Sequence, residues 1–507
     1  MNILLITSDQ QHWNTLGATN PRIKTPALDR LCAEGVRFDR AYCANPVCSP
    51  SRSTIITGLY PAWHHCWTIG VKLPEDVPTV GEAFQRHGFE SILVGKAHFQ
   101  PLASQSGRES IECQPTLRDL DFWRGFHGPW YGFNHVETAR MHAHESHVGQ
   151  HYALWMEEKG LKNWEDFFQQ WPRNPKDKYA GPQYTRDSMT WDLPEEFHHT
   201  RWVGERTVAN IERCAEAGKP FFLWSSFFDP HPPYVAPEPW ASMYKPEDME
   251  PGHFEEGEFA RMPPQFAKTR EASPDFSMYG EEGGQSLHGF HSHLHNEDEM
   301  RRGMAAYYGM QSFIDQQVGR ILDALDGLGV ADDTLVLYST DHGHFLGQHG
   351  LIAKGAFHYE DLIRIPMIAR VPGGQKGVVS SALQSQVDFA PTFLTAAGLT
   401  VPGLMQGVNQ LPVWRGETQP ARDHVLVENR HNPTTVHLRT FVDEQWKITV
   451  YRQGEDGELF DLKADPDERH NRWHDPACAD IKSRLLHRFV QAEIQREPTR
   501  MPRIAGA

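Results

Sequence analysis

Asn2-Ile3-Leu4-Leu5-Ile6-Thr7-Ser8-Asp9-Gln10 is an unbroken apolar run that ends abruptly in a carboxylic acid and an amide. The same pattern recurs three times. Residues 90–94 lead into Gly95-Lys96-Ala97-His98, residues 221–228 into Asp229-Pro230-His231-Pro232, and residues 334–339 into Thr340-Asp341-His342-Gly343. Continuous rather than alternating apolar runs suit strands buried on both faces of a mainly parallel sheet. Helical periodicity separates them: residues 25–34 stop at Gly35, residues 79–87 at Gly88, and a long amphipathic stretch, 304–325, near Gly327. This alternation predicts an α/β fold, a doubly wound sheet with helices on both faces. Ligands bind such sheets at the carboxyl ends of the strands, so four separate polar tips should converge on one site.

A fifth segment, Cys48-Ser49-Pro50-Ser51-Arg52-Ser53-Thr54-Ile55-Ile56-Thr57-Gly58, reads as a turn followed by a helix. Ser49 can cap it and Pro50 suits the first helical position. Cys48 then stands beside a helix N-terminus, where orphan N–H groups and the dipole favour an anion such as sulfate or phosphate.

The bulk properties narrow the partners. A chain of 507 residues is long enough for a large α/β domain plus a smaller one. No window reaches the ~18 consecutive apolar residues of a membrane span. The opening residues lack a basic region and a small-residue cleavage site, which predicts a cytoplasmic location, or a periplasmic one if a leader has been removed. The seven cysteines are dispersed without repeated spacing, as in a reducing compartment. A formal charge of −17 argues against nucleic acid as a partner, yet a few local Lys and Arg can still dominate a pocket for a small anion. Residues of about 101–199 and 237–296 are long and irregular and read as insertions. The texture changes after residues 415–423. Residues 438–451 and 458–462 read as antiparallel strands and 479–493 as a final amphipathic helix. The expected division is a catalytic α/β domain, 1–420, and a small C-terminal α+β subdomain, 421–507, whose tail, 498–507, could reach a neighbouring subunit in a homo-oligomer.

The Cys-x-Pro-x-Arg pentad at residues 48–52, closed by Thr57-Gly58, resembles the signature of the type I, formylglycine-dependent sulfatases of the alkaline phosphatase superfamily. The segment Glu458-Leu459-Phe460-Asp461-Leu462, with Asp465-Pro466 and Glu468, matches that family's C-terminal pattern. The resemblance implies an alkaline-phosphatase-like sheet. It also implies that Cys48 is oxidised by a formylglycine-generating enzyme to an aldehyde whose hydrate attacks sulfur, after which the remaining hydroxyl expels inorganic sulfate. It assigns one divalent cation to Asp9, Gln10, Cys48, Asp341 and His342. Carboxylate and amide oxygens suit a hard cation, and Ca²⁺ is the first choice. Many sulfatases carry a second acid and an Asn where Gln10 and His342 stand, and phosphonate monoester hydrolases share the Gln/His pair, which leaves Mn²⁺ or Mg²⁺ open. By the same resemblance Arg52 pairs with the nucleophile's oxygens and Asp341 deprotonates the hydrate. Lys96 and Lys354 bind sulfate oxygens, His98 hydrogen-bonds the formylglycine hydroxyl and His231 protonates the leaving oxygen.

The expected activity is hydrolysis of a sulfate monoester by S–O cleavage, on a sulfated carbohydrate, with aryl sulfates as surrogates. Two alternatives stand beside it: a phosphonate monoester or phosphodiester hydrolase with the same nucleophile, and an inactive protein that binds sulfated glycans. Weaker signals complete the reading. His199 and Arg201, with His198, precede a helical run and are candidates to line the substrate pocket. His142-Ala143-His144-Glu145-Ser146-His147 and His291-Ser292-His293-Leu294-His295 read as solvated or substrate-facing loops rather than a second metal site. The aromatic stretch 123–133 reads as core packing.

Overall fold

Each of the apolar runs is a strand, and all four lie together in one sheet. The computed structural model describes residues 1–169, 189–272, 274–280, 296–431, 434–498 and 504–506. The main sheet contains β1 (Asn2–Ser8), β2 (Val36–Tyr42), β3 (Glu90–Lys96), β4 (His135–Ala139), β5 (Phe221–Ser226), β6 (Thr334–Thr340), β7 (Arg364–Arg370) and β8 (Val378–Ser380). Their spatial order is β8-β2-β7-β6-β1-β5-β3-β4, and a short strand, Gln384–Ser385, also pairs with β2. Every pairing is parallel except those of β7, which runs antiparallel to both β2 and β6.

Helices cover both faces: α1 (Pro26–Glu34), α2 (Cys48–Thr57), α3 (Val80–Arg86), α4 (His199–Glu216), α5 (Glu297–Gly327) and α6 (Phe389–Ala396). Successive strand residues point to opposite sides, so each strand feeds two cores. Ile3, Leu5, Leu93, Trp224 and Leu337 pack with Ile55 of α2, Phe84 of α3 and Phe393 of α6. Leu4, Ile6, Val94, Leu223 and Val336 pack with Leu28 of α1, Trp202 of α4 and Val318 of α5. A second sheet follows, purely antiparallel: β9 (Val425–Arg430), β10 (His437–Val442), β11 (Trp446–Tyr451) and β12 (Gly457–Asp461), with α7 (Ala479–Gln495) against it through Leu485 and Phe489.

Four local expectations are corrected. Helix α2 begins at Cys48 itself after Val47, and Ser49 is not its cap. Pro50 therefore sits inside the first turn, where its missing N–H costs nothing. The stretch at 101–199 is not wholly an insertion, because His135–Ala139 forms the edge strand β4 beside β3. The segment at 438–451 is two strands joined by a tight hairpin at 443–445, preceded by β9. Helix α5 starts well before residue 304, where Asn296 and Glu299 form a reciprocal capping box. The His-rich segment 291–295 lies outside the described residues.

Candidate active site

β1 and β6 are parallel neighbours with Ser8 opposite Thr340, so Asp9 and Asp341 leave the sheet side by side. The two loops are bonded directly. Asp341 Oδ1 accepts the backbone N–H groups of Gln10 and His342, each at 2.9 Å. Asp9 N–H donates to the Asp229 carbonyl beyond β5 at 2.9 Å. Gln386 Nε2 donates to the carbonyls of Thr340 and Asp341 at 2.8 and 2.6 Å, which fixes the β6 loop from below. Gln10 and His98 both hold φ near +60°, a strained conformation for residues with a side chain, and such strain persists where surrounding bonds over-determine the geometry.

Cys48 stands at the first residue of α2, fully buried. Its Sγ lies 3.1 Å from Lys354 Nζ, 3.2 Å from His342 Nε2 and 3.7 Å from Asp9 Oδ1. One turn on, Arg52 is also fully buried. Its Nε donates to Asp341 Oδ2 at 2.9 Å, and its Nη1 donates to the Lys96 carbonyl and Ser226 Oγ. Lys96 pairs with Asp9 Oδ2, and its Nζ is 2.8 Å from His142 Nε2. His231 binds the Pro232 carbonyl through Nδ1 and turns Nε2 towards Lys354 Nζ at 3.3 Å.

The donor set can hold a metal ion. Asp9, Cys48, Asp341 and His342 bring their ligand atoms within 4.8 Å of one another. Gln10 adds an amide oxygen. Its Nε2 is 2.8 Å from His344 Nδ1, which orients the amide and leaves Oε1 buried with no hydrogen-bond partner. An orphaned buried acceptor in the loop that also carries Asp9 is what a cation would satisfy. His342 likewise binds the Gly343 carbonyl through Nδ1, which frees the Nε2 lone pair.

Electrostatics agree. Burial and the facing Asp341 push the Asp9 carboxyl up to about 8, against the pull of Lys96. Asp341 is buried too, but His342, Arg52 and Lys96 outweigh burial and hold it well below the carboxylate range. Burial raises the Cys48 thiol, yet Lys354 and Lys96 more than offset it, and the thiol lies below its ordinary value. A negative charge at this residue is therefore favoured.

Most residues singled out by sequence meet here, and some do not. His98 bonds Arg140 through Nε2 at 2.7 Å, its ring lies 6.4 Å from that of His142, and its Nδ1 is buried without a hydrogen-bond partner. His199 is fully buried beneath Trp191 and Phe228, with Nε2 3.7 Å from Asp229 Oδ1. Arg201 pairs with Glu205 on its own helix and with Glu195 in the turn before it. Neither lines the cluster around Cys48, because the start of α4 turns them towards the aromatic core and the helix surface.

Conversely, His142 belongs to the site. It is buried, bonds Lys96, stacks on His231 at a ring separation of 3.7 Å and bonds Glu145 through Nδ1 at 3.1 Å. The signal was present in the same form as the others: β4 is a short strand whose end runs into Arg140-Met141-His142. The aromatic stretch is core, as expected, with Trp123 and Phe133 fully buried. All seven cysteines are free thiols.

Residues 1–399 match the family model for sulfatases, and residues 347–495 match that for the C-terminal part of N-sulphoglucosamine sulphohydrolase. The chain is 29% identical to the multifunctional alkaline phosphatase superfamily protein PehA of Trinickia caryophylli, over 95% of this chain and 92% of that protein. It is 28% identical to an arylsulfatase of Clostridium perfringens, over 93% and 89%. Among solved structures, a phosphonate monoester hydrolase from Silicibacter pomeroyi superposes with a TM-score of 0.77 at 24% identity, covering 98% of this chain and 96% of its own.

Proposed function

Because the chain belongs to the sulfatase family and is a sulfuric ester hydrolase, we propose that it releases inorganic sulfate from a sulfated carbohydrate, with aryl sulfates as surrogate substrates. Cys48 is the position of the nucleophile, matured to formylglycine by a generating enzyme. Asp9, Gln10, Asp341 and His342 would hold one divalent cation, with Ca²⁺ ahead of Mn²⁺ or Mg²⁺. When present, the cation supplies Lewis acidity at a sulfate oxygen and the hydrated aldehyde supplies the attacking hydroxyl.

The observation that carries this reading is the ring of cations around Cys48. Lys354 lies at 3.1 Å from Sγ, Lys96 bonds Asp9 beside it, and Arg52 bonds Asp341 behind it. Three fixed positive charges at a water-excluded helix N-terminus suit a sulfate group and the charge that grows on its oxygens. Arg52 holds Asp341 in its ionised form, ready to take a proton from the nucleophile. The His231–Lys354 pair, with Nε2 and Nζ 3.3 Å apart, can deliver a proton to the departing ester oxygen. His98 Nδ1, buried and unpartnered, is available to hydrogen-bond the hydroxyl at residue 48.

A second reading, phosphonate monoester or phosphodiester hydrolysis, is favoured by the Gln10/His342 ligand pair and opposed by the Lys96/His98 pair. Relative kcat/KM values on p-nitrophenyl sulfate and p-nitrophenyl phenylphosphonate separate them. Preference for the sulfate ester supports the first reading, and preference for the phosphonate overturns it.

A further inference from the structure

Away from Cys48, a cavity of about 770 Å³ opens at one end of the second sheet, against α7. A smaller one shares Trp67, Arg430, His437 and Arg439 with it and reaches Asn45. We propose that these joined cavities form a saccharide subsite that takes an acidic unit, carboxylated or sulfated, of the same oligosaccharide whose sulfate sits at Cys48. The inference rests on the sulfatase reading and extends it from a single sulfated sugar to an acidic oligosaccharide.

The chemistry of the walls points to this ligand. Arg430 and Arg452 are exposed, and neither has a carboxylate partner within ion-pair distance among the described residues. The other charges nearby are neutralised: Arg439 pairs with Glu493, and Arg496 pairs with Glu428. The local surplus is thus positive in a chain whose net charge is −17, which favours an anionic ligand at this cavity. Arg430 lies over the Trp67 ring at 5.6 Å, and Tyr451 adds a second aromatic ring. An aromatic face beside a guanidinium suits a sugar ring carrying an anionic group. Asn45 is 1% exposed, and neither atom of its amide has a hydrogen-bond partner, although the side chain borders the cavity. A buried amide with both groups unsatisfied is matched by a hydroxyl that donates and accepts.

The cavity is mechanically tied to the reaction centre. Glu428 N–H donates to the Ala44 carbonyl at 2.9 Å, and Asn429 Nδ2 donates to the Gly355 carbonyl at 3.2 Å. Ala44 leads into the loop of Cys48, and Gly355 follows Lys354. Strand β9, which ends in Arg430, is therefore pinned to both loops that present the nucleophile and its lysine.

The test uses Cys48→Ala protein, so that nothing is turned over, and titration calorimetry at ~150 mM salt, where exposed long-range attraction is screened. The probes are a size-fractionated heparin tetrasaccharide and uncharged chitotetraose. The heparin tetrasaccharide is expected to bind at least about tenfold more tightly. Adding Arg430→Ala or Arg452→Ala should weaken it about tenfold each, the scale of one charge-assisted hydrogen bond. Arg86→Ala, on α3, should leave it unchanged. Equal affinity for the two tetrasaccharides, or unchanged affinity in both arginine variants, overturns the subsite. Turnover of p-nitrophenyl sulfate by the wild-type enzyme is scored separately, so that a failure of the sulfatase reading is distinguishable from a failure of the cavity.

Discussion

Replacing Lys96 by alanine removes a fully buried ammonium that bonds Asp9 and lies 2.8 Å from His142. If Lys96 holds a sulfate oxygen, the loss falls on the transition state, where charge grows on that oxygen. One preorganised donor in a water-excluded site is worth about 10²–10³ in kcat, or about 2.7–4 kcal/mol. Lys354 remains to hold the ground state, so KM should move far less, by about threefold or under, as expected of an interaction made mainly in the transition state. Stability should respond as well. Stranding one partner of a buried pair costs about 3–5 kcal/mol, but Asp9 can still face a cation. The variant should therefore show a lowered Tm in EDTA that largely recovers on adding Ca²⁺. The assay is steady-state turnover of p-nitrophenyl sulfate beside thermal unfolding with and without the cation. A kcat within about threefold of wild type, in protein whose Cys48 is fully converted, would remove Lys96 from the site and refute the assignment.

Other consequences can be checked in parallel. His142→Ala should lower kcat about tenfold by releasing Lys96 and the stacked His231, and His142→Gln, which keeps an acceptor for Lys96, should recover part of it. Gln10→Ala should raise the cation concentration needed for half-maximal activity by about 10–100-fold, measured by titrating metal into stripped enzyme. Glu137 is buried, but its bonds to His135 and Arg206 outweigh burial and hold it well below the carboxylate range. A depressed carboxylate stabilises the fold above its unfolded pKa and loses that contribution as pH falls. Glu137→Gln should therefore cost about 1–3 kcal/mol near pH 7 in denaturant melts, with the gap to wild type closing below about pH 4. Arg201→Ala should leave kcat and KM within about twofold, since Arg201 faces Glu195 and Glu205 rather than the site.

How far the sequence could be read depended on whether function sat at an interruption of a strong pattern. Asp9, Lys96, His231 and Asp341 each stand at or beyond the end of an apolar strand, and the parallel sheet itself brings strand ends together. His142 follows a strand as well, but β4 lies at the edge of the sheet within a long irregular stretch, so its period was too short to stand out. Strand β7 was missed for a different reason. Pro366 interrupts Arg364–Arg370 where the pairing with β2 shifts register, and a proline argues against a central strand because it cannot donate to the ladder. His199 and Arg201 erred the other way. Their composition suggested a binding edge, whereas the N-terminal turn of α4, capped by the His198 side chain, directs them into Trp191 and onto Glu205. The cap of α2 was misplaced because Ser49 and Pro50 suit a helix start equally well one or two residues earlier or later.

The proposed hydrolysis depends most directly on Cys48 being the nucleophile in its oxidised form. The decisive measurement is the mass of the peptide spanning Cys48, from protein made in a host with a formylglycine-generating enzyme that converts a control sulfatase. The expected result is the aldehyde or its hydrate at residue 48, in proportion to the sulfate-ester activity of the preparation. A peptide carrying only the unmodified thiol, from protein that still hydrolyses sulfate esters, would contradict it.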